Sequence, residues 1–325
     1  MDNSMIFLNA CKNGQKGVVE AFIKKGGLDF NKRDSLGNTA LFYACMKGSK
    51  DIVKLLLSNG ADSSLANNNS MTPLHAVSKS GNKEIISLLL NEGADINITD
   101  KEGRTPLIYA LMENRTEVAK LLLEKGADTQ IKDDGHKAID YATANGLRDI
   151  ITLLLKDENN DNKNNFGNTP LHQACYNNQS EVVRELLKQD GIELNTVNDN
   201  GNTPLIIAAI ESNLLIVQLL LKAGADAKQR LLNGNTALHF AAEKGNQYIG
   251  KALLEAGAEI DGQNEMGETA LLIAAMEGYN DFVKLLVENG ANVNIVDNSQ
   301  NSPLFYASEK GYTEIVEILL LAGAN

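Results

Sequence analysis

The chain is built from pairs of short apolar segments with helical spacing. The second segment of each pair is the more apolar, as in Ile52–Leu57 and Ile216–Leu221, which both read Ile-Val-x-Leu-Leu-Leu. This spacing is typical of a helix that is buried against its neighbours. A turn that contains Gly or Asn, such as Gly48, separates the two segments, and a Gly-Ala pair such as Gly60-Ala61 follows the second one. Because glycine readily adopts the left-handed conformation after a helix, the pattern predicts two helices per unit and a stop after the second.

The start of the first segment fixes the register of a repeat. The residues Thr72-Pro73-Leu74-His75 recur as Thr169-Pro170-Leu171-His172. A threonine here can cap the helix N-terminus, and proline is tolerated at the first helical position because its missing N–H would have no helical partner. All five prolines of the chain occupy that position. The sequence therefore contains ten copies, 32 to 34 residues apart, with anchors at Met5, Thr39, Thr72, Thr105, Lys137, Thr169, Thr203, Thr236, Thr269 and Ser302.

A polar connection links the end of each copy to the next anchor. It carries turn residues, as in Asp100–Gly103 and Asn198–Gly201, and predicts a projecting β-turn or short hairpin, a finger. A unit of about 33 residues with these features resembles the ankyrin repeat. The resemblance covers essentially the whole chain and implies an all-α ankyrin-repeat solenoid of about ten helix-turn-helix repeats with projecting fingers. It also implies a protein that binds other proteins, through its finger tips and the concave face of the first helices, and that does no chemistry.

Two copies depart from the pattern in ways that bear on domain organisation. We expect one array over residues 1–325, in which residues 1–33 form an N-terminal capping repeat because the first copy lacks the signature. The fifth copy has Lys137-Ala138-Ile139-Asp140 in the signature position, and an Asn-rich run replaces its Gly-Ala stop. We predict a weak seam at 157–165, either a flexible finger or a change of curvature between repeats 5 and 6.

The last copy carries Leu321 at a position that is polar or charged in every earlier complete repeat. A C-terminal capping repeat should instead present a polar outer face. Two explanations stay open. The first is that the chain was cut from a longer protein or simply tolerates the leucine; the second is that this end makes an end-on contact with another molecule.

Charge and cysteine content narrow the class of protein. The net charge is −12 with dispersed Lys and Arg, which argues against a nucleic-acid partner. Acids such as Asp51 recur in the first turn of the second helix, where they complement the helix dipole. No apolar run is long enough to span a membrane, and the N-terminus lacks the features of a signal peptide. We expect a cytoplasmic protein, with delivery into another cell by a non-classical route left open.

Cys11, Cys45 and Cys175 share one repeat position and are predicted to be small buried residues of a reducing compartment.

Candidate chemistry is sparse. His75, His172 and His239 share the fourth signature position, where an imidazole can bond the anchor Thr or nearby backbone, so we predict a structural role. Gly245–Lys251 matches the Gly-x4-Gly-Lys core of a phosphate loop, but Ala252 replaces the required Ser or Thr and the segment falls within a second helix. No catalytic constellation and no metal-ligand spacing is evident. We predict no enzyme activity, no cofactor and no metal.

The candidate binding residues lie at positions that the repeat leaves free. Near the end of the first helix, five of nine copies carry a large apolar residue, namely Met46, Met112, Tyr176, Ile210 and Met276. The next position is polar, which gives this stripe the apolar centre and polar rim of a protein interface. Apolar finger residues add Leu36, Met71, Phe166, Leu232 and Met266. For any single finger residue, packing on the adjacent helix or finger is an equally good interpretation. For the stripe as a whole a partner site is favoured, with its centre at Tyr176 and Ile210.

The sequence thus predicts a non-enzymatic scaffold that binds a partner protein or peptide, without a nucleic-acid partner or a membrane span. The alternative is a regulatory or inhibitory subunit, or the targeting module of a larger protein or complex.

Overall fold

The computed structural model describes residues 3–155 and 163–325, which divide into two compact units, Met1–Asn160 and Asp161–Asn325. The described residues form twenty helices, ten in each unit. The first unit contains α1 Asn3–Asn13, α2 Lys16–Lys25, α3 Ala40–Lys47, α4 Lys50–Ser58, α5 Pro73–Ser80, α6 Lys83–Asn91, α7 Pro106–Met112, α8 Thr116–Glu124, α9 Ala138–Ala144 and α10 Arg148–Leu154. The second contains α11 Pro170–Tyr176, α12 Ser180–Leu186, α13 Pro204–Ile210, α14 Leu214–Ala223, α15 Ala237–Glu243, α16 Gln247–Glu255, α17 Ala270–Glu277, α18 Asn280–Glu288, α19 Pro303–Glu309 and α20 Thr313–Leu321. Odd-numbered helices are the first helices of the repeats and even-numbered helices the second.

Local chemistry sets the helix ends as the sequence predicts. The Thr39 hydroxyl accepts a hydrogen bond from the Phe42 N–H at 3.2 Å, and the Thr203 hydroxyl accepts one from the Ile206 N–H at 3.3 Å. These bonds satisfy backbone donors that the first turn of a helix leaves without partners. At the other end of a repeat, Gly224 caps α14 with a φ of 100°, which a side chain with a Cβ would strain.

In each unit the helix pairs stack so that equivalent helices of successive repeats pack against each other. First helices contact first helices, as α3 contacts α5 and α13 contacts α15, while second helices contact second helices, as α14 contacts α16. The apolar positions of the second helices point into this stack, where Ile52, Val53 and Leu56 are fully buried. Within each unit the observed architecture is therefore that of an all-α ankyrin array, which confirms the predicted fold class.

The fingers are turns, and the described residues contain no extended strands beyond isolated bridges at Asp133–His136 and Arg230–Thr236. An acid nucleates the turn: one oxygen of Asp34 accepts from the N–H groups of Leu36 and Asn38, both at 2.9 Å. Its other oxygen accepts the Tyr43 hydroxyl proton at 2.5 Å. Three further fingers repeat this pairing of a turn aspartate with a first-helix tyrosine, at Asp100–Tyr109, Asp133–Tyr141 and Asp297–Tyr306.

The irregular fifth repeat still folds as the helix pair α9 and α10. Asp140 occupies the signature histidine position and accepts a hydrogen bond from the Lys137 N–H at 2.8 Å, so a carboxylate makes the cap that an imidazole makes elsewhere. Of the predicted seam at 157–165, residues 157–162 lie outside the described residues, and the flexible finger stays a prediction. The boundary between the two units falls in the same run.

Candidate protein-binding surface

The ends of neighbouring first helices lie side by side and are joined by hydrogen bonds. In the first unit the Arg115 Nε donates to the Lys79 carbonyl at 3.1 Å, and the Asn145 amide donates to the Leu111 carbonyl at 2.9 Å. In the second unit the Lys310 amino group donates to the Met276 carbonyl at 2.7 Å. These bonds use helix-end carbonyls that have no partner inside the helix, so each repeat fixes the position of the preceding helix end.

Met46 and Met112 form the first-unit row at these helix ends. Met46 is 45% exposed and Met112 is 37% exposed, although both side chains are large and apolar. Lysines hold the same position in the neighbouring repeats: Lys12 lies 5.3 Å from the centre of the Tyr43 ring, and Lys79 lies 6.0 Å from that of Tyr109 and 3.3 Å from Glu113. The sequence identified the methionines, but it missed the contacts between these lysines and the tyrosines of the next repeat. These contacts could have been predicted from the tyrosines that recur four residues after an anchor, as Tyr43 and Tyr109 do.

Tyr176, Ile210 and Met276 form the second-unit row. Tyr176 is exposed, whereas Ile210 and Met276 are half-buried and so face solvent less fully than the sequence suggests. The next repeat also contacts Met276 at its backbone, because the Lys310 amino group donates to the Met276 carbonyl. The row consists of one aromatic and two aliphatic side chains, which belong to the sixth, seventh and ninth repeats.

The finger tips carry several highly exposed apolar side chains. Leu36, Phe166 and Met266 are more than 60% exposed, and Leu232 is 90% exposed. Backbone bonds link successive fingers, for example from the Asp199 N–H to the Phe166 carbonyl at 3.1 Å. The exposed tips are thus held in place at the backbone. Met71 differs, because its side chain is half-buried and its sulfur lies 3.8 Å from the Tyr109 hydroxyl, so this residue packs on the adjacent repeat.

The signature histidines act as structural links between repeats, as predicted. His75 Nδ1 accepts from the Thr72 N–H at 3.0 Å, which places the ring proton on Nε2, 3.0 Å from the Arg104 carbonyl of the next repeat. His172 and His239 make the equivalent pairs of bonds. Burial lowers the pKa of all three imidazoles, and that of His172 falls to about 4. These rings are neutral and committed to the fold, so they are not available as ligands.

The remaining reactive side chains are buried. Cys11, Cys45 and Cys175 are free thiols with no exposed surface, and burial raises the pKa of Cys11 to about 12. A raised thiol pKa disfavours the reactive thiolate. Among the residues that the structure describes, no cluster of His, Cys, Asp and Glu could hold a metal ion. The helices in this part of the chain are also too short to cross a bilayer.

The segment that matches a phosphate loop begins in the turn before α16 and continues into that helix, and its second glycine has a packing explanation. Gly250 lies in α16, and a Cβ at this residue would come within 2.7 Å of the ring of Phe282. Phe282 is fully buried and replaces the Ile or Val that other repeats have at its position. The glycine thus makes room for an unusually large neighbour in the next repeat.

Arg104 and Asp133 form a link between fingers that sequence reasoning missed. Asp133 is almost fully buried and accepts from the Arg104 Nε at 3.0 Å and from the Tyr141 hydroxyl at 2.5 Å. Arg104 also pairs with Glu102 at 2.8 Å. The acids at these fingers therefore serve the structure and do not form an open cation site.

Comparison with known proteins assigns the family. A model of ankyrin repeats in three copies matches residues 2–67, 62–133, 139–231, 191–264 and 238–325. The chain is 35% identical over 94 residues to human transient receptor potential cation channel subfamily A member 1, which covers 29% of this chain and 8% of the relative. It is 29% identical over 216 residues to ankyrin repeat protein nuc-2 of Neurospora crassa (66% and 17%), and 36% identical over 84 residues to Delta-latroinsectotoxin-Lt1a of Latrodectus tredecimguttatus (26% and 7%). The chain spans less than a fifth of each of these relatives. Since the family model covers nearly all of its residues, the chain belongs to the ankyrin repeat family.

Proposed function

We propose that this chain is a non-enzymatic scaffold that binds a partner protein or peptide with its first-helix ends and finger tips. Ankyrin repeats generally mediate protein–protein interactions. The observation that carries the proposal is the exposure of the large apolar side chains of Met46, Met112 and Tyr176 at helix ends to which the next repeat is hydrogen-bonded. Exposed apolar patches with a polar rim mark interaction sites on protein surfaces.

The rigidity of these positions favours binding. A partner that contacts the second-unit row meets side chains whose backbone is already fixed, so little conformational entropy remains to be lost on association. Polar residues such as Lys47, Asn177 and Glu277 border the rows, which is the arrangement of an apolar centre within a polar rim. Met46 and Met112 add flexible side chains that adapt to a partner surface.

A matched pair of double variants tests the proposal. A peptide selected by display against the full chain serves as the partner, and its Kd is measured by fluorescence anisotropy. Tyr176→Ala with Ile210→Ala should weaken binding about tenfold or more, as expected for residues at an interface centre. The control, Tyr248→Ala with Leu215→Ala, removes an exposed Tyr and an exposed aliphatic side chain from second helices of the same unit. Equal Kd values for the two double variants would show that the second-unit row is not the binding site.

A second candidate function is that of a regulatory, inhibitory or targeting module within a larger protein or complex. It is supported by the small share of each relative that the chain matches, between 7% and 17% for the three described above. The 90% exposure of Leu321 supports an end-on contact in such an assembly. The molecular mass of the full chain mixed with a partner, measured for the wild type and for Leu321→Gln, tests this contact. A complex that forms equally well with the variant would contradict it. A cytoplasmic location is part of the proposal, supported by the three free thiols.

A further inference from the structure

The two units differ sharply in net charge. Residues 1–160 contain 20 Lys and Arg against 21 Asp and Glu, a difference of −1, while residues 161–325 contain 10 against 21, a difference of −11. Almost the whole net charge of −12 therefore belongs to the second unit. A charge of this size raises the local concentration of cationic partners and repels anionic ones.

The two units also differ in charge beside the candidate binding rows. At the two equivalent positions at the end of each first helix, the first unit has three lysines, Lys12, Lys47 and Lys79, and one acid, Glu113, whereas the second unit has four glutamates and two lysines, Lys244 and Lys310. A helix C-terminus carries partial negative charge, so a cation there is stabilising and an anion destabilising. The lysines of the first unit thus have a structural explanation. The glutamates of the second unit oppose the helix dipole and have none; they are Glu211, Glu243, Glu277 and Glu309.

Most of these glutamates carry uncompensated charge. Glu243 lies 3.4 Å from the Lys244 amino group. The other three, Glu211, Glu277 and Glu309, are exposed and form no ion pair with any residue that the structure describes; we name them the glutamate border. Lys310 follows directly after Glu309 in sequence, but its amino group donates to the Met276 carbonyl instead. The apolar second-unit row is therefore edged by three glutamates that form no ion pair with the described residues and by one cation, Lys310, at the Met276 carbonyl.

We infer that the second-unit row docks a cationic peptide segment, a deeper statement of the binding function proposed above on which it rests. Apolar side chains of the segment would contact Tyr176, Ile210 and Met276. Its Lys or Arg side chains would pair with the glutamate border and also offset the negative ends of the helix dipoles. Complementary charge of this kind selects among partners that offer the same apolar side chains.

Three synthetic peptides test the charge of the occupant. They share the same Leu and Phe positions and carry Lys, Gln or Glu at all others, and fluorescence anisotropy measures their binding to the full chain. The Lys peptide should bind at least about tenfold more tightly than the Glu peptide, and added salt should reduce the difference. No measurable binding of the Lys peptide, or equal binding of the Lys and Glu peptides, would overturn the inference.

A matched set of charge variants separates docking from general attraction to an acidic unit. Glu211→Gln, Glu277→Gln and Glu309→Gln together should weaken binding of the Lys peptide about tenfold, from three ion pairs of ordinary surface strength. The control triple, Glu255→Gln, Glu288→Gln and Glu317→Gln, removes the same charge from exposed positions on second helices of the same unit and should change the Kd less than about twofold. Equal losses for the two triples would overturn the docking site, with thermal unfolding used to show that all variants are folded.

The Tyr176→Ala, Ile210→Ala variant distinguishes failure of this inference from failure of the proposed function. If the Gln or Glu peptide binds most tightly and this variant weakens its binding, the binding surface stands and only the cationic occupant is refuted. If the variant leaves binding of every peptide unchanged, the surface itself is refuted.

Discussion

Lowering the pH should destabilise the second unit through His172. This imidazole is fully buried, its Nδ1 accepts from the Thr169 N–H at 3.1 Å, and its Nε2 donates to the Asn202 carbonyl at 3.0 Å. Protonation would put a second N–H against the Thr169 N–H, and it would place a charge in an apolar environment. Burial accordingly lowers the pKa of His172 from 6.5 to about 4.

The size of the effect follows from proton linkage. Between the two pKa values the unfolded chain binds one proton more than the folded chain at this residue, so the free energy of unfolding falls by about 1.4 kcal/mol for each unit of decreasing pH. The stabilisation is complete above the unfolded pKa of 6.5 and is lost as the pH falls towards 4. From pH ~7.5 to pH ~5, His172 alone should remove about 2 kcal/mol.

The assay compares the wild type with His172→Ile, because Ile206 occupies the same position in the next repeat. Urea unfolding is followed by circular dichroism at several values between pH ~7.5 and pH ~5, where most carboxylates stay ionised. The variant should lose about 2 kcal/mol less than the wild type over this range. Ile206→Val is the control, since it alters the same layer without a titrating group and should shift the free energy of unfolding by one amount at every pH.

Two results would refute the reasoning. One is an equal loss of stability in the wild type and in His172→Ile, which would assign the pH dependence to other groups. The other is an NMR titration of the His172 ring with a midpoint near the ordinary value of about 6.5, which would show that burial does not disfavour the charged form.

Three further predictions concern packing and buried polar groups, each measured by urea unfolding. Gly250→Ala should cost about 2 kcal/mol because its Cβ would meet the Phe282 ring, and Phe282→Ile added to it should recover most of the loss; a double variant no more stable than Gly250→Ala would contradict this. Thr143→Val should stabilise the first unit by about 1 kcal/mol, because the buried Thr143 hydroxyl has no hydrogen-bond partner among the described residues; a loss of stability would contradict it. Arg104→Met should cost about 2 kcal/mol by leaving buried Asp133 without its cation, and an unchanged unfolding midpoint would show that the Tyr141 hydroxyl suffices.

The register and the helices could be predicted because they depend on local chemistry. Thr203 and Pro204 specify a helix start within two residues, and Gly224 specifies the stop, so each signal is readable without knowledge of the rest of the fold. The histidine at the fourth signature position could be read in the same way, since its first partner is only three residues away. The recurrence of such signals in most of the ten copies made the period evident.

What the sequence did not reveal depends on contacts between repeats. Asp133 and Asp134 are adjacent acids in one finger, and only the structure shows that Asp133 is almost fully buried against Arg104. The hydrogen bond to the Met276 carbonyl likewise comes from Lys310, which lies one repeat later in sequence. Side chains about 30 residues apart meet because the repeats stack, and their pairing cannot be read from the residues of one repeat alone.

The charges beside the rows show how a repeat protein separates scaffold from specificity. Positions that the fold needs are the same in both units, such as the caps at Thr39 and Thr203 and the buried face of the second helices. Positions next to the rows differ between the units: at these helix C-termini lysine predominates in the first unit and glutamate in the second, although the helix dipole favours a cation in both. A residue that stabilises its own helix needs no partner to explain it. In the proposal above, Glu211 and Glu277 oppose the dipoles of their own helices because they pair with a cationic partner, and the triple glutamine variant tests that assignment.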